Sequence, residues 1–236
     1  MGQSVLDGVA APMHTMELSA DAMTAVPGNS RLAEDASLTL FRTEVVARGS
    51  FSRDWLTSRF SLWRSLLAEL DNRPARILEI GSFEGLSTCF FLWRLPGARV
   101  TCVDTFAGGV EDAGTARSDL EEAFDANVAL VDASRVRKLV GDSKRRLLDL
   151  ADEGDEFELV YVDGSHLALD VLVDAALAWG LLAPNGTIVF DDYRWRELGD
   201  DALLRPGTAI DVFRELVEGK HQLVHSDDQV ALRRIT

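Results

Sequence analysis

The most constraining feature of the chain is an apolar strand pattern at residues 76–85 that runs into a glycine-spaced turn. It reads Arg-Ile-Leu-Glu-Ile-Gly-Ser-Phe-Glu-Gly, so Gly81 and Gly85 stand four residues apart. A helix-like segment follows, and a second apolar strand then ends in Asp104. Glycines let a ligand approach the backbone, and a carboxylate about 20 residues further on is typical of ribose recognition. The pattern predicts a nucleotide-type pocket at the start of an α/β sheet.

Composition excludes several classes of protein. The 236 residues suffice for one sizeable α/β domain with an appendage. The balance of 24 basic and 39 acidic side chains, a net charge of −15, opposes binding to nucleic acid. Cys89 and Cys102 look like small buried hydrophobic residues, which fits a reducing cytoplasm. We expect no membrane association, because no apolar run reaches spanning length and no basic residue precedes Arg31 to form a signal peptide.

Strand and helix patterns alternate over most of the chain. The strands are predicted at 76–81, 99–104, 135–140, 157–163 and 186–192, and the helices at 85–95, 115–130, 144–152 and 167–180. The strands are rich in Val, Ile and Leu without alternation, as in a parallel sheet covered on both faces. The expected fold is therefore Rossmann-like α/β, with a mostly parallel sheet and helices on both faces.

The two ends of the chain carry weaker patterns. Three regions are predicted: a flexible arm over 1–35, a helical cap over 36–75 and the main α/β domain over 76–236. In the cap, Ser52 starts a helix that runs to about Leu70. This helix either packs on the sheet or places Trp55 or Phe60 over the active site.

Further elements are predicted near the C-terminal end. Pro206 opens a helix in which Thr208 and Asp211 form a capping pair. Residues 221–225 and 229–235 pair as an antiparallel hairpin, which brings the sheet to seven strands.

Carboxylates end two further predicted strands, Asp163 on one and Asp191 with Asp192 on the next. These residues would meet at the sheet edge that also carries the glycine turn. Three carboxylates at one place repel one another unless they are protonated or bridged by a cation, and oxygen ligands suit Mg²⁺. His166 would then accept a proton from a substrate hydroxyl. The alternatives are that Asp163 shapes a turn, that the other two face solvent, and that His166 is structural.

Taken together, the motifs resemble a known family. Its motif I, Glu/Asp-x-Gly-x-x-x-Gly, is matched at 79–85, and the further matches in family order are Val-Asp-Thr-Phe at 103–106, Gly-Asp-Ser at 141–143, Val-Asp-Gly-Ser-His at 162–166, Asp-Asp-Tyr at 191–193 and Pro-Gly-Thr-Ala-Ile at 206–210. The chain resembles the class I S-adenosylmethionine-dependent methyltransferases. Within them it is similar to the cation-dependent O-methyltransferases of the macrocin and mycinamicin sugar-methylating type, which act in natural product biosynthesis.

The resemblance implies a role for each matching position. S-adenosylmethionine would contact Glu79, Gly81, Ser82, Gly85, Ser87, Asp104, Thr105, Asp142, Ser143 and Asp163. Mg²⁺ or another divalent cation would bind Asp163, Asp191 and Asp192, and His166 with Asp163 would be catalytic. The substrate walls are expected at Trp55, Tyr193 and Trp195.

Other functions stay open at this point. A metal-independent methyltransferase of an amine, carbon or hydroxyl would use the aspartates to orient its acceptor. A nicotinamide-dependent oxidoreductase has a similar sheet, but the missing third glycine and Glu79 weigh against it. A non-catalytic S-adenosylmethionine-binding protein would not need His166. The expected partner is a small-molecule acceptor of unknown identity, and a homo-oligomer is possible.

Overall fold

A computed structural model describes residues 36–109 and 119–235, so the predicted arm over 1–35 lies outside the described residues. The strands are β1 Ala75–Ile80, β2 Ala98–Asp104, β3 Val136–Val140, β4 Phe157–Val162, β5 Leu182–Phe190, β6 His221–Ser226 and β7 Val230–Arg234. They form one seven-stranded sheet in the order β3-β2-β1-β4-β5-β7-β6. β1 to β5 are parallel, and β7 runs antiparallel to both β5 and β6.

Helices cover both faces of this sheet. They are α1 over 36–41, α2 Phe60–Leu66, α3 Leu86–Arg94, α4 Leu120–Ala129, α5 Ser143–Glu153, α6 Ala168–Leu181 and α7 Pro206–Leu216. α1 continues into a π-helical turn, Arg42–Val46. The Rossmann-like α/β prediction, with its parallel sheet and antiparallel C-terminal hairpin, is confirmed. Among the described residues, none of the helices has both the length and the apolar character needed to cross a membrane.

Two hydrophobic clusters hold the layers together, one on each face of the sheet. Neighbouring residues of β1 point to opposite faces, so Ile77 joins one cluster and Leu78 the other. The segment before the sheet is part of the first cluster, since Phe41 and Trp63 are fully buried there. The region predicted as a cap therefore supplies side chains to the hydrophobic core.

The predicted helix from Ser52 to about Leu70 is wrong in its first half. The backbone N–H and the hydroxyl of Ser52 both donate to Glu84 Oε2, at 2.5 and 2.9 Å. Asp54 accepts from the backbone N–H of Thr57, and α2 begins only at Phe60. Short polar side chains compete with helical hydrogen bonding in this way, which is why the aromatic spacing misled the prediction.

The predicted Thr208–Asp211 capping pair is also wrong. No side chain caps the start of α7, and Pro206 at its first turn has no N–H that would need a partner. Asp211 instead accepts a hydrogen bond from the Tyr193 hydroxyl at 2.9 Å.

Candidate functional site

A cavity of about 690 Å³ opens at the carboxyl edge of the parallel strands. One side, called here the glycine-turn end, is bordered by residues 80–84, 86–87, 103–105 and 141–143. The other side, called the carboxylate end, is bordered by Arg59, Tyr161, Asp163, His166, Asp191, Asp192 and Gln229. Ligands of open α/β sheets bind at this edge, so the cavity is where the sequence predicts chemistry.

Gly81 is required by the close contact between the ends of β1 and β4. Its φ is +86°, and a Cβ there would lie 2.0 Å from the carbonyl oxygen of Asp163. Its N–H donates to Val103 O at 2.9 Å, which joins the turn to β2 as well. Any side chain at this position would separate the strand ends that carry the site.

Asp104 fixes the shape of the glycine turn. Its Oδ2 accepts from the backbone N–H groups of Ser82 and Phe83 at 2.7 and 2.8 Å. Its Oδ1 accepts from the N–H of Phe106 at 2.6 Å. The carboxylate therefore lies in the cavity wall and is held there by backbone N–H groups, and Thr105 borders the cavity beside it.

Glu79 and Gly85 lie behind the turn, and neither borders the cavity. Glu79 is fully buried, and its Oε2 accepts from the hydroxyls of Ser82, at 2.8 Å, and Thr88. Burial raises the pKa of Glu79, which the neighbouring hydroxyls partly offset. A Cβ at Gly85 would lie 2.9 Å from the ring of Phe124. The predicted direct cofactor contacts of Glu79 and Gly85 are not supported by these positions, whereas Ser82 and Ser87 do border the cavity.

In the loop after β3, one polar side chain caps a helix and the next one bonds a buried carboxylate. Asp142 caps α5 by accepting from the N–H of Arg145 at 3.3 Å. The hydroxyl of Ser143 donates to Asp174 Oδ1 at 2.7 Å. Asp174 is a residue of α6 that the sequence analysis missed, and burial raises its pKa to about 6.

The carboxylate end has Tyr161 at its base. The Tyr161 hydroxyl lies 2.8 Å from Asp163 Oδ2 and also contacts Asp191 Oδ2, and its single proton cannot serve both at once. Gln229 Nε2 donates to Asp191 Oδ2 at 2.7 Å, and Arg59 Nη1 lies 3.8 Å from Asp191 Oδ1. Burial is the main cause that raises the pKa of both Asp163 and Asp191, and repulsion from neighbouring aspartates adds to it.

His166 lies between an aspartate and an aromatic ring. Its Nε2 is 2.8 Å from Asp192 Oδ2, and its ring stacks on Trp195 with centroids 4.3 Å apart. Asp163, His166 and Asp192 offer ligand atoms that all lie within 4.8 Å of one another, a spacing that fits one metal ion. Asp163 and Asp192 of the predicted metal set belong to this group, whereas the oxygens of Asp191 accept from Tyr161, Gln229 and the backbone N–H of Asp192.

The three predicted substrate residues separate in the structure. Trp55, at 59% exposure, and Trp195 border the cavity, and Trp55 packs against Phe83 with ring centroids 5.5 Å apart. Tyr193 does not border the cavity, because its ring lies against the second hydrophobic cluster and its hydroxyl bonds Asp211. A contact between Tyr193 and substrate is thus not supported.

Arg59, Tyr161 and Gln229 were missed by the sequence analysis. Tyr161 is one aromatic residue within an apolar strand, which is what a core residue looks like. Gln229 follows a turn that was predicted only as a hairpin. No sequence motif identifies any of the three. The position of Tyr161 in β4, two residues before Asp163, gave a weak signal for that residue alone.

Comparison with known proteins agrees with this geometry. A family model described as a methyltransferase domain matches residues 78–193. A search of curated proteins finds no significant match.

Solved structures share the fold at low sequence identity. MycE methyltransferase from the mycinamycin biosynthetic pathway, in complex with Mg, SAH and mycinamycin VI, is 18% identical with a TM-score of 0.59, over 84% of this chain and 54% of MycE. This chain therefore spans about half the length of MycE. A putative caffeoyl-CoA O-methyltransferase from Staphylococcus aureus is 16% identical with a TM-score of 0.59, over 88% of this chain and 99% of that one.

An O-methyltransferase from Bacillus cereus in complex with SAH is 16% identical, with a TM-score of 0.60 and coverage of 90% of this chain and 94% of that one. At such identities the likeness shows the fold. The glycine turn, the carboxylate of Asp104 and the domain match at 78–193 converge on one conclusion. Residues 78–193 are similar to a methyltransferase domain, and the chain shares its fold with solved methyltransferases.

Proposed function

We propose that the protein is a divalent-cation-dependent O-methyltransferase that acts on a hydroxyl of a small molecule, with His166 as general base. The observation that carries this proposal is the cluster of Asp163, His166 and Asp192 beside the cofactor cavity, with ligand atoms within 4.8 Å of one another. A half-buried base and two carboxylates at the end of a methyl-donor pocket suit an acceptor that must lose a proton.

The residues present fit a divalent cation. Desolvation and mutual repulsion raise the pKa of Asp163 and Asp191 although Arg59 lowers that of Asp191, so a further cation would relieve the repulsion. Mg²⁺ prefers oxygen ligands and is usually held by one or two carboxylates with water and substrate oxygens. Asp163 and Asp192 would hold the ion, and Asp191 would support them through Tyr161 and Gln229. When bound, the ion supplies positive charge that favours the ionised form of a nearby hydroxyl.

The chain's own residues account for the proton transfer and for orientation. His166 accepts the proton of the acceptor hydroxyl on the ring nitrogen that carries no hydrogen. Trp195 stacks on the imidazole ring, and the contact between Nε2 and Asp192 Oδ2 orients it. S-adenosylmethionine supplies the methyl group. Gly81, Ser82 and Ser87 would border its methionine part, and Asp104 would bind its ribose. Much of the acceleration comes from this fixed orientation of the reactants.

The acceptor is best described as a hydroxylated small molecule of sugar or natural-product type. Trp55 and Trp195 border the cavity and offer flat apolar surfaces for a ring. The presence of Mg and mycinamycin VI in the MycE complex supports both the cation and an acceptor of this kind. An overall charge of −15 speaks against a nucleic-acid acceptor.

The proposal is tested by methyl transfer from labelled S-adenosylmethionine to a panel of sugars, catechols and glycosides, with Mg²⁺ or with EDTA. We expect O-methylated product that depends on the cation and disappears in His166→Ala. The control is His225→Ala, a histidine of β6 that does not border the cavity. Transfer that persists in EDTA would support the metal-independent alternative, and transfer to an amine or a carbon would contradict O-methylation.

A further inference from the structure

The cavity contains a buried carboxylate that the proposed reaction does not use. Asp174 is 1% exposed, yet it borders the cavity from the middle of α6. Ser143 donates to its Oδ1 at 2.7 Å, and among residues 36–109 and 119–235 no other hydrogen bond reaches this carboxylate. Buried carboxylates rarely persist with a single donor, so Asp174 lacks a donor on the cavity side.

Neighbouring carboxylates do not share this condition. Asp170, one turn earlier in α6, is 2.7 Å from Lys144 Nζ and 3.1 Å from Ser165 Oγ. Asp142 is exposed and caps α5. Of these three acidic groups, only Asp174 combines burial with an open side toward the ligand.

The order of the strands places Asp174 on the side of the cofactor's base. The acceptor chemistry is located after β4 and β5, and the ribose-type carboxylate Asp104 ends β2. The base therefore extends further, toward the end of β3, where Gly141 and Ser143 border the cavity. Adenine presents one strong donor group there, its 6-amino group.

We propose that Asp174 accepts a hydrogen bond from the adenine 6-amino group of the cofactor, and that Ser143 holds the carboxylate in place for this contact. Asp174 is then a specificity-determining residue that favours 6-aminopurine over 6-oxopurine. A 6-oxo group would present an acceptor to the carboxylate, so repulsion would replace the hydrogen bond from position 6. This inference rests on S-adenosylmethionine as the cofactor, but neither on the cation nor on His166.

Calorimetry with S-adenosylhomocysteine and S-inosylhomocysteine, in which oxygen replaces the 6-amino group, tests the inference. At pH 7.5 we expect the wild type to bind the adenine compound about 10- to 100-fold more tightly. Asp174→Asn, whose side chain can both donate and accept, should bring the two dissociation constants within about threefold of each other. Asp170→Asn is the matched control and should keep the wild-type ratio. An unchanged ratio in Asp174→Asn would overturn the inference.

A second measurement needs no variant. The pKa of Asp174 is raised to about 6 by burial, and the nearby charged groups are Asp142, Lys144 and Asp170. At pH 5 the protonated carboxyl becomes a donor, so the wild-type preference should fall several-fold. A ratio that is equal at pH 5 and pH 7.5 would overturn the inference. A wild type that does not bind S-adenosylhomocysteine at all would instead overturn the cofactor assignment itself, and a loss of cation dependence would leave the inference standing.

Discussion

The two ends of the cavity differ in how the rest of the protein holds their central aspartates, Asp104 at one end and Asp163 with Asp191 at the other. At the glycine-turn end, both oxygens of Asp104 accept backbone N–H groups of the loops beside them. At the carboxylate end, Tyr161 is shared between two aspartates, and Gln229 Oε1 is buried without a hydrogen-bond partner in the described part of the chain. Arg59 approaches Asp191 and Asp228 only to 3.8 and 3.9 Å.

This difference separates a preformed binding surface from one that needs its ligands. The glycine-turn end is held by backbone geometry, so a cofactor that binds there pays little for reorganisation. The carboxylate end has an excess of buried negative charge, which a cation and an acceptor would balance. Substitutions at the glycine-turn end should therefore lower stability and cofactor affinity. Substitutions at the carboxylate end should instead lower the rate of turnover.

The largest effect is expected for His166→Ala at the carboxylate end. Loss of a general base lowers the rate of methyl transfer by about 10²- to 10⁴-fold. Single-turnover transfer from labelled S-adenosylmethionine measures it, and the affinity for S-adenosylhomocysteine should stay within about threefold of wild type. If His166→Ala lowered the affinity for S-adenosylhomocysteine as much as it lowered activity, cofactor binding would depend on the carboxylate end as well.

Gly81→Ala should break the glycine-turn end. Its Cβ would meet the Asp163 carbonyl oxygen at 2.0 Å, with φ at +86°. Strain and overpacking together should lower the free energy of unfolding by about 3–5 kcal/mol, measured by urea denaturation. Gly180→Ala is the control, since a Cβ there meets nothing within 4 Å, and in α6 it should stabilise by about 0.5–1 kcal/mol. Equal effects at both glycines would refute the steric argument.

Cation binding should stabilise the protein through the carboxylate end alone, which distinguishes that end from the glycine-turn end. Mg²⁺ at 100 times its dissociation constant should raise the free energy of unfolding by about 2.7 kcal/mol over an EDTA-treated sample. Asp192→Asn should abolish most of this gain, whereas Asp149→Asn, at a half-buried position of α5 outside the cavity, should keep it. A gain of the same size in Asp192→Asn would place the ion elsewhere.

The smallest effect concerns the pH dependence of stability through Asp174. Its folded-state pKa of about 6 exceeds the ordinary value of 3.8 for an aspartate, so the folded state binds the proton more tightly. The stability from this group is complete below about pH 4, is lost as the pH rises to about 6, and does not change further above that. Asp174→Asn removes this dependence. The unfolding free energy of the variant, relative to that of the wild type, should therefore rise by about 1–3 kcal/mol from pH 4 to pH 7. A constant difference across this range would contradict the raised pKa.

The sequence predicted those parts of the molecule whose physics is local. Apolar runs that end in Gly81, Asp104 and Asp163 sufficed for the sheet and its functional edge, because parallel strands bring their carboxyl ends together. The same reasoning failed at Ser52, whose side chain bonds Glu84 in a distant turn rather than its own helix.

The carboxylate end was predicted only in part, because its arrangement depends on contacts between distant segments. Asp191 was expected among metal ligands, but Gln229 and Tyr161 occupy its Oδ2. Asp174 is more than 30 positions from Ser143 in sequence and lies in a mostly apolar helix. The partners of Asp191 and Asp174 belong to no local sequence pattern, so only the folded structure shows these contacts.

The position of β7 between β5 and β6 has a consequence for the order in which the site is completed during synthesis. The turn into β7 supplies Asp228 and Gln229, which come last in the chain among the residues of the site. The glycine turn and Asp104 leave the ribosome much earlier. We therefore expect a nascent chain to acquire its cofactor surface first, and to gain the acceptor side only when the antiparallel strand is inserted.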